Sequence, residues 1–142
     1  MRDRPLLAIT MGDPAGIGPE VIAKALSHRE LYDLCRPLVV GDTAILDRHL
    51  QFSSELKAVH RVDTPNEAAY EYGTLDVLQI ATDVSGVRPG QLSADAGTAA
   101  VECVRVAATL ARDGQVDAIV TAPLNKAAMH LAGYSYPGHT EL

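Results

Sequence analysis

The residues best placed to act on a ligand fall in two stretches of the chain. One is a loop bearing Gly12, Asp13, Gly16 and Gly18; the other runs from Thr121 through Asn125 and Lys126 to His139 and Thr140. An imidazole and a hydroxyl side by side, presented just after Pro137-Gly138, can hydrogen-bond a phosphate or hydroxyl oxygen. Taken alone, Gly-His-Thr is also ordinary exposed-turn chemistry. In the first loop, glycines allow a tight turn and a close backbone approach to a ligand. Pro19 directly after Gly18 suits the first helical position, Glu20 suits the positive end of the helix dipole, and such a helix start favours anions. The glycines are spaced Gly12-x3-Gly16-x-Gly18, which is neither GxGxxG nor GxxxxGK[ST]. Spacing alone therefore leaves a ligand loop and a purely steric turn equally open.

The elements that must position these residues can be read from apolar periodicity. Residues 6–11 form an apolar run ahead of the glycine loop and predict a buried strand. The helix after the loop carries Val21, Ile22, Ala25 and Leu26 on one face. Residues 37–41 predict a second strand, Asp42 caps a helix over 43–50, 56–62 fits an edge strand, and 75–81 fits another strand. Tyr70 and Tyr72 are placed over the core edge. Residues 83–93 carry Gly86, Pro89, Gly90 and Ser93, which is loop chemistry. Ser93 then caps a helix over 94–112, with Glu102, Arg105, Thr109 and Arg112 on its wet face and Ala100, Cys103, Val104, Ala107 and Leu110 inward. Asp113-Gly114 ends it. Residues 116–122 predict a strand that delivers Thr121 and Asn125 to its carboxyl end, where open α/β sheets hold ligands. A helix over 124–132 stops at Gly133. Strands and helices alternate, so the expected class is α/β: a mainly parallel sheet covered by helices, with 6–11 and 117–122 among its inner strands.

Composition narrows the function classes. A chain of 142 residues is one ordinary domain able to bury ~68% of its unfolded surface. It is 47% hydrophobic and 21% charged, with one Phe, five Tyr and no Trp, so its core must be aliphatic. A net charge of −6 argues against nucleic acid or an anionic membrane as the main partner. No apolar run reaches the ~18 residues of a membrane span, and no basic start precedes a long apolar run as in a signal peptide. Cys35 and Cys103 are far apart and in no CxxC, which predicts buried free thiols and a reducing cytoplasm. His28, His49 and His60 fall on polar faces or in loops. His130 is four residues from Lys126, a commonplace helix pair. With no HxxxH, HExxH or Cys/His cluster, no complete metal site is expected in the chain.

Two long motifs carry a resemblance. GDPAGIGPEVIAKAL, at 12–26, and VTAPLNKAAMHLAGYSYPGHTE, at 120–141, resemble in sequence and order the amino-terminal part of the 4-hydroxythreonine-4-phosphate dehydrogenase family. The first is also similar to the GDGIGPEV start of isopropylmalate and isocitrate dehydrogenases, whose fold is related and which bind NAD without GxGxxG. The resemblance implies an isopropylmalate dehydrogenase-like fold. It implies that 1–142 is one α/β segment, the amino-terminal part of a longer two-domain dehydrogenase. It further implies NAD-dependent, metal-assisted oxidation of a phosphorylated hydroxy-amino acid in pyridoxine and pyridoxal phosphate biosynthesis, in a cytoplasmic homodimer.

By the same resemblance His139 and Thr140 bind substrate, Lys126 and Asn125 lie within reach of its pocket, and Gly12, Asp13, Gly16 and Gly18 belong to the cofactor side. The family's divalent metal (Zn, Mg or Co) is held by three histidines across a dimer interface, downstream of the Gly-His-Thr-Glu motif. None of the five histidines here matches them, so the 142 residues alone are expected to be inactive. Catalytic residues stay unassigned. Three alternatives remain open: a paralogue acting on D-threonate or D-erythronate 4-phosphate, a phosphate acyltransferase-like protein of similar fold, and a non-catalytic phosphate- or nucleotide-binding segment.

Overall fold

The computed structural model describes residues 3–136. Five strands, β1 (Leu6–Thr10), β2 (Arg36–Gly41), β3 (Ala58–Val62), β4 (Thr74–Gln79) and β5 (Ala118–Thr121), form one sheet in the order β3-β4-β2-β1-β5. Every neighbouring pair is parallel. Four α-helices lie between them, α1 (Gly18–Ala25), α2 (Arg29–Leu34), α3 (Thr43–His49) and α4 (Ala94–Arg112), and α5 (Lys126–Leu131) follows β5. The mainly parallel, helix-covered α/β sheet is therefore present.

The helix starts follow the capping residues. Asp42 Oδ1 accepts from the Ile45 amide at 3.0 Å, Ser93 Oγ from Ala96 at 3.1 Å, and Asn125 Oδ1 from Ala128 at 3.2 Å. Each side chain satisfies an amide that has no partner within its own helix. On α4, Ala100, Cys103, Val104, Ala107 and Leu110 are buried while Arg105, Thr109 and Arg112 are exposed. That helix covers β1, β2 and β5 and carries α5 on it. The two helices meet almost backbone to backbone at Gly97, where an added Cβ would lie 2.0 Å from the Ala128 carbonyl oxygen. On the other side α1 and α3 pack together, and α3 reaches β3 and β4.

Four expectations need correction. The apolar strand at 117–122 is not an inner strand: β5 is an edge, with Ile119 and Val120 37% and 45% exposed. Its apolar character predicts cover on both faces, but strand order is set by the long crossover through α4. The core face of α1 is also rotated, with Ile22, Ala23 and Leu26 buried and Val21 and Ala25 exposed. Val21 and Ala25 instead line a shallow apolar groove with Ile9 and Val120. Cys35 is only half-buried, its Sγ donating to the Leu31 carbonyl at 3.2 Å, whereas Cys103 is fully buried. Finally, α2 lies in a stretch read without an element; its six residues show no side-chain cap.

Candidate active-site crevice

From β1 the chain crosses to β2 on one side, and it later returns to β5 on the other. The carboxyl ends of β1 and β5 thus flank the point where the winding reverses, the usual ligand position in open α/β sheets. The two stretches singled out by their chemistry meet there. The Asp13 amide donates to the Pro123 carbonyl at 3.0 Å and ties the glycine loop to the end of β5.

Close backbone contact accounts for two of the glycines. Gly12 has φ +76°, and an added Cβ would sit 2.3 Å from the Pro123 oxygen; at Gly18 it would sit 2.2 Å from the Met11 oxygen. Neither contact admits a side chain. Gly16 is different: it is exposed, and a Cβ there would meet only Asp13, at 3.4 Å or more.

Asp13 is 6% exposed and organises the turn. Its Oδ1 accepts from the Ala15 amide at 2.8 Å, and its carbonyl accepts from Gly16 at 3.0 Å. The Ala15 carbonyl in turn accepts from Gly90 at 2.7 Å, which draws the 83–93 loop against the crevice. The amides of Asp13, Ala15 and Gly16 are therefore occupied inside the protein. What the loop presents outward is the Gly16–Ile17 tip, with Ile17 63% exposed. Beneath it Thr10 is fully buried, and its Oγ1 has no hydrogen-bond partner among the described residues.

At the end of β5, Thr121 is exposed, Asn125 uses its side-chain oxygen to cap α5, and Lys126 is exposed at the first position of that helix. His139 and Thr140 lie outside the described residues. Among the described residues no three His, Cys, Asp or Glu side chains gather into a group able to hold a metal ion. Cys103 is no nucleophile candidate, because burial pushes its thiol up to about 12.

Sequence reasoning missed Asp76. Hidden in an apolar strand and 3% exposed, it accepts from the amides of Ala69 and Tyr70 at 3.2 and 2.8 Å and lies 2.8 Å from His60 Nδ1. Those bonds hold Tyr70 at φ +54°, left-handed backbone that a bulky residue rarely adopts. An acid in the middle of a strand otherwise suited to burial was the available signal.

Comparison with known proteins agrees with the fold. Residues 33–142 match the family model described as pyridoxal phosphate biosynthetic protein PdxA. The chain is 52% identical to a D-threonate 4-phosphate dehydrogenase of Bordetella bronchiseptica, covering 97% of this chain and 40% of that protein. It is 41% identical to a 4-hydroxythreonine-4-phosphate dehydrogenase of Desulforapulum autotrophicum, covering 99% and 42%. A crystal structure of a 4-hydroxythreonine-4-phosphate dehydrogenase from Burkholderia phymatum superposes with a TM-score of 0.92 at 46% identity, covering 99% of this chain and 42% of that one. The chain thus spans about two fifths of the length of the relatives it matches. With the residue match and the sheet in agreement, the chain belongs to the pyridoxal phosphate biosynthetic protein PdxA family, whose matched relatives are named dehydrogenases.

Proposed function

We propose that this chain is the amino-terminal part of a longer two-domain, NAD-dependent dehydrogenase acting on a 4-phosphorylated hydroxy acid. The observation that carries this reading is the similarity over 97% of the chain to a protein named D-threonate 4-phosphate dehydrogenase. The open edge at β5 supports the two-domain reading, since exposed backbone donors and apolar side chains on an edge strand call for cover. D-threonate 4-phosphate is placed first among substrates, because 52% identity to that relative exceeds the 41% to a 4-hydroxythreonine-4-phosphate dehydrogenase. 4-Hydroxythreonine 4-phosphate, the substrate on the pyridoxal phosphate route, is the second reading and is favoured by the name of the superposed crystal structure.

NAD supplies the hydride acceptor in such a reaction. The amides of Asp13, Ala15 and Gly16 do not fit a pyrophosphate cradle, since each already has an internal partner. This part of the site contributes shape and an apolar tip, with Gly12 setting the contact between the two loops and Gly18 the close return of α1 to the end of β1. His139 and Thr140 bind and orient the substrate, and the gain they provide is positional. The divalent metal belongs to histidines supplied beyond this chain, in a cytoplasmic homodimer. No group of the described residues fits it.

The test is a comparison of kcat/KM for D-threonate 4-phosphate and 4-hydroxythreonine 4-phosphate on the protein expressed from its whole reading frame. A preference for the first supports the leading reading, and a preference for the second selects the alternative. Turnover of neither would remove both.

A further inference from the structure

A second cavity lies away from the β1–β5 crevice, over the carboxyl ends of β2 and β4. Its volume is about 530 Å³, within the range of small-molecule sites. Its walls belong to a polar frame that is already satisfied. Asp42 caps α3 with one carboxylate oxygen and accepts from Gln79 Nε2 at 2.8 Å with the other. Gln79 Oε1 accepts from both the amide and the hydroxyl of Thr43, each at 2.9 Å. On the rim, Asp83 accepts from the Ser85 amide at 2.9 Å, and that bond holds its carboxyl below the usual carboxylate range. The acids of the cavity are thus bound into the scaffold.

The cations are not. Arg48 on α3 and Arg61 on β3, both exposed, line the same cavity from successive elements of the chain, and neither lies within 4 Å of a carboxylate among the described residues. Each guanidinium offers five N–H donors in a planar fork that matches a phosphoryl group. Ile45, Ile80 and Val84 supply an apolar floor beneath them. We propose that this cavity binds the phosphoryl group of a small organic molecule, gripped by Arg48 and Arg61 with its carbon skeleton against the apolar floor. The site stands independently of the dehydrogenase reading, because Arg48 and Arg61 lie on α3 and β3, outside the β1–β5 crevice, and only residues 83–85 belong to the loop that packs against it.

The test is a titration of the isotope-labelled chain with inorganic phosphate at constant ionic strength, followed by amide chemical shifts. Saturable shifts are expected at residues 42–48, at Arg61 and at 80–85, with saturation below about 10 mM. R48Q and R61Q should each weaken binding about tenfold or more, the loss expected for a hydrogen bond to a charged group, while shifts elsewhere in the spectrum stay put. R48K and R61K keep the charge but lose the fork, and should fall between wild type and the glutamine variants. R29Q, whose guanidinium lies over the Tyr72 ring and outside the cavity, should bind normally. The proposal is overturned by shifts that never saturate, by saturation centred on residues 12–18, or by glutamine variants that bind as wild type does.

Discussion

Asp76 shows how one residue fixes local geometry that no periodicity reveals. Its two oxygens take the amides of Ala69 and Tyr70, so Asp76→Asn replaces one acceptor with a donor facing an amide. We expect a loss of about 1–3 kcal/mol, read as a lower urea midpoint, whereas Asp83→Asn on the exposed rim should change it far less. An unchanged midpoint for Asp76→Asn would mean that Tyr70 holds its left-handed backbone without the carboxylate. His139 belongs to the same scale but rests on the family motif. In the full-length protein His139→Ala should raise the substrate KM and lower kcat/KM by tenfold or more, at about 1.5–3 kcal/mol for a hydrogen bond to a charged group. Stability and NAD affinity should barely move. A mutant with normal kinetics and a lower melting temperature would make His139 a structural turn residue.

At the scale of elements, close backbone approach matters most where α4 crosses α5. Gly97→Ala would push a methyl to 2.0 Å from the Ala128 carbonyl oxygen, so the two helices must separate. The expected cost is about 1–3 kcal/mol by denaturant titration; Gly86→Ala, with open space around its backbone, should be close to neutral and is the control. A neutral Gly97→Ala would show the crossing to be looser than described. Elements with a chemical start signal were legible: Asp42, Ser93 and Asn125 each cap the helix that follows. So were the strands 6–11, 37–41 and 75–81, whose cores lie within β1, β2 and β4. What stayed hidden depends on non-local arrangement. The run VDAIVTA carries no mark of whether it will be central or an edge, because crossovers decide that. Val21 and Ala23 differ by two positions on a short helix, and only the angle at which α1 docks decides which is buried. The glycines of the site were legible as a turn, but the contact of Gly12 with Pro123 requires knowing that two distant loops meet.

Across the whole molecule, a buried Tyr32 and a half-buried Tyr70 packed on the core link stability to alkaline pH. Burial, helped by the Asp76 charge, pushes the Tyr70 phenol up to about 12, and burial likewise raises Tyr32. Below the ordinary tyrosine value of about 10 both states keep these protons, so the contribution is fully present there. Above it the unfolded chain ionises first, and stability falls as pH rises through the folded-state values. Urea midpoints should therefore be flat below this window and decline within it, with Tyr70→Phe showing a shallower decline; a midpoint independent of pH there would contradict the burial. Among the described residues the sheet also ends on an apolar, exposed edge at β5, and the chain spans about two fifths of its matched relatives, so the proposed activity is tested on the whole protein. The proposed activity of the full-length protein is oxidation of a hydroxy acid that must carry its 4-phosphate. It is tested most directly by following NADH formation by the full-length protein with D-threonate 4-phosphate and with unphosphorylated D-threonate, in the presence of a divalent metal. NADH should accumulate with the phosphorylated acid and fail to do so with D-threonate, while equal rates with both, or no NADH from any 4-phosphorylated hydroxy acid of the family, would contradict the account.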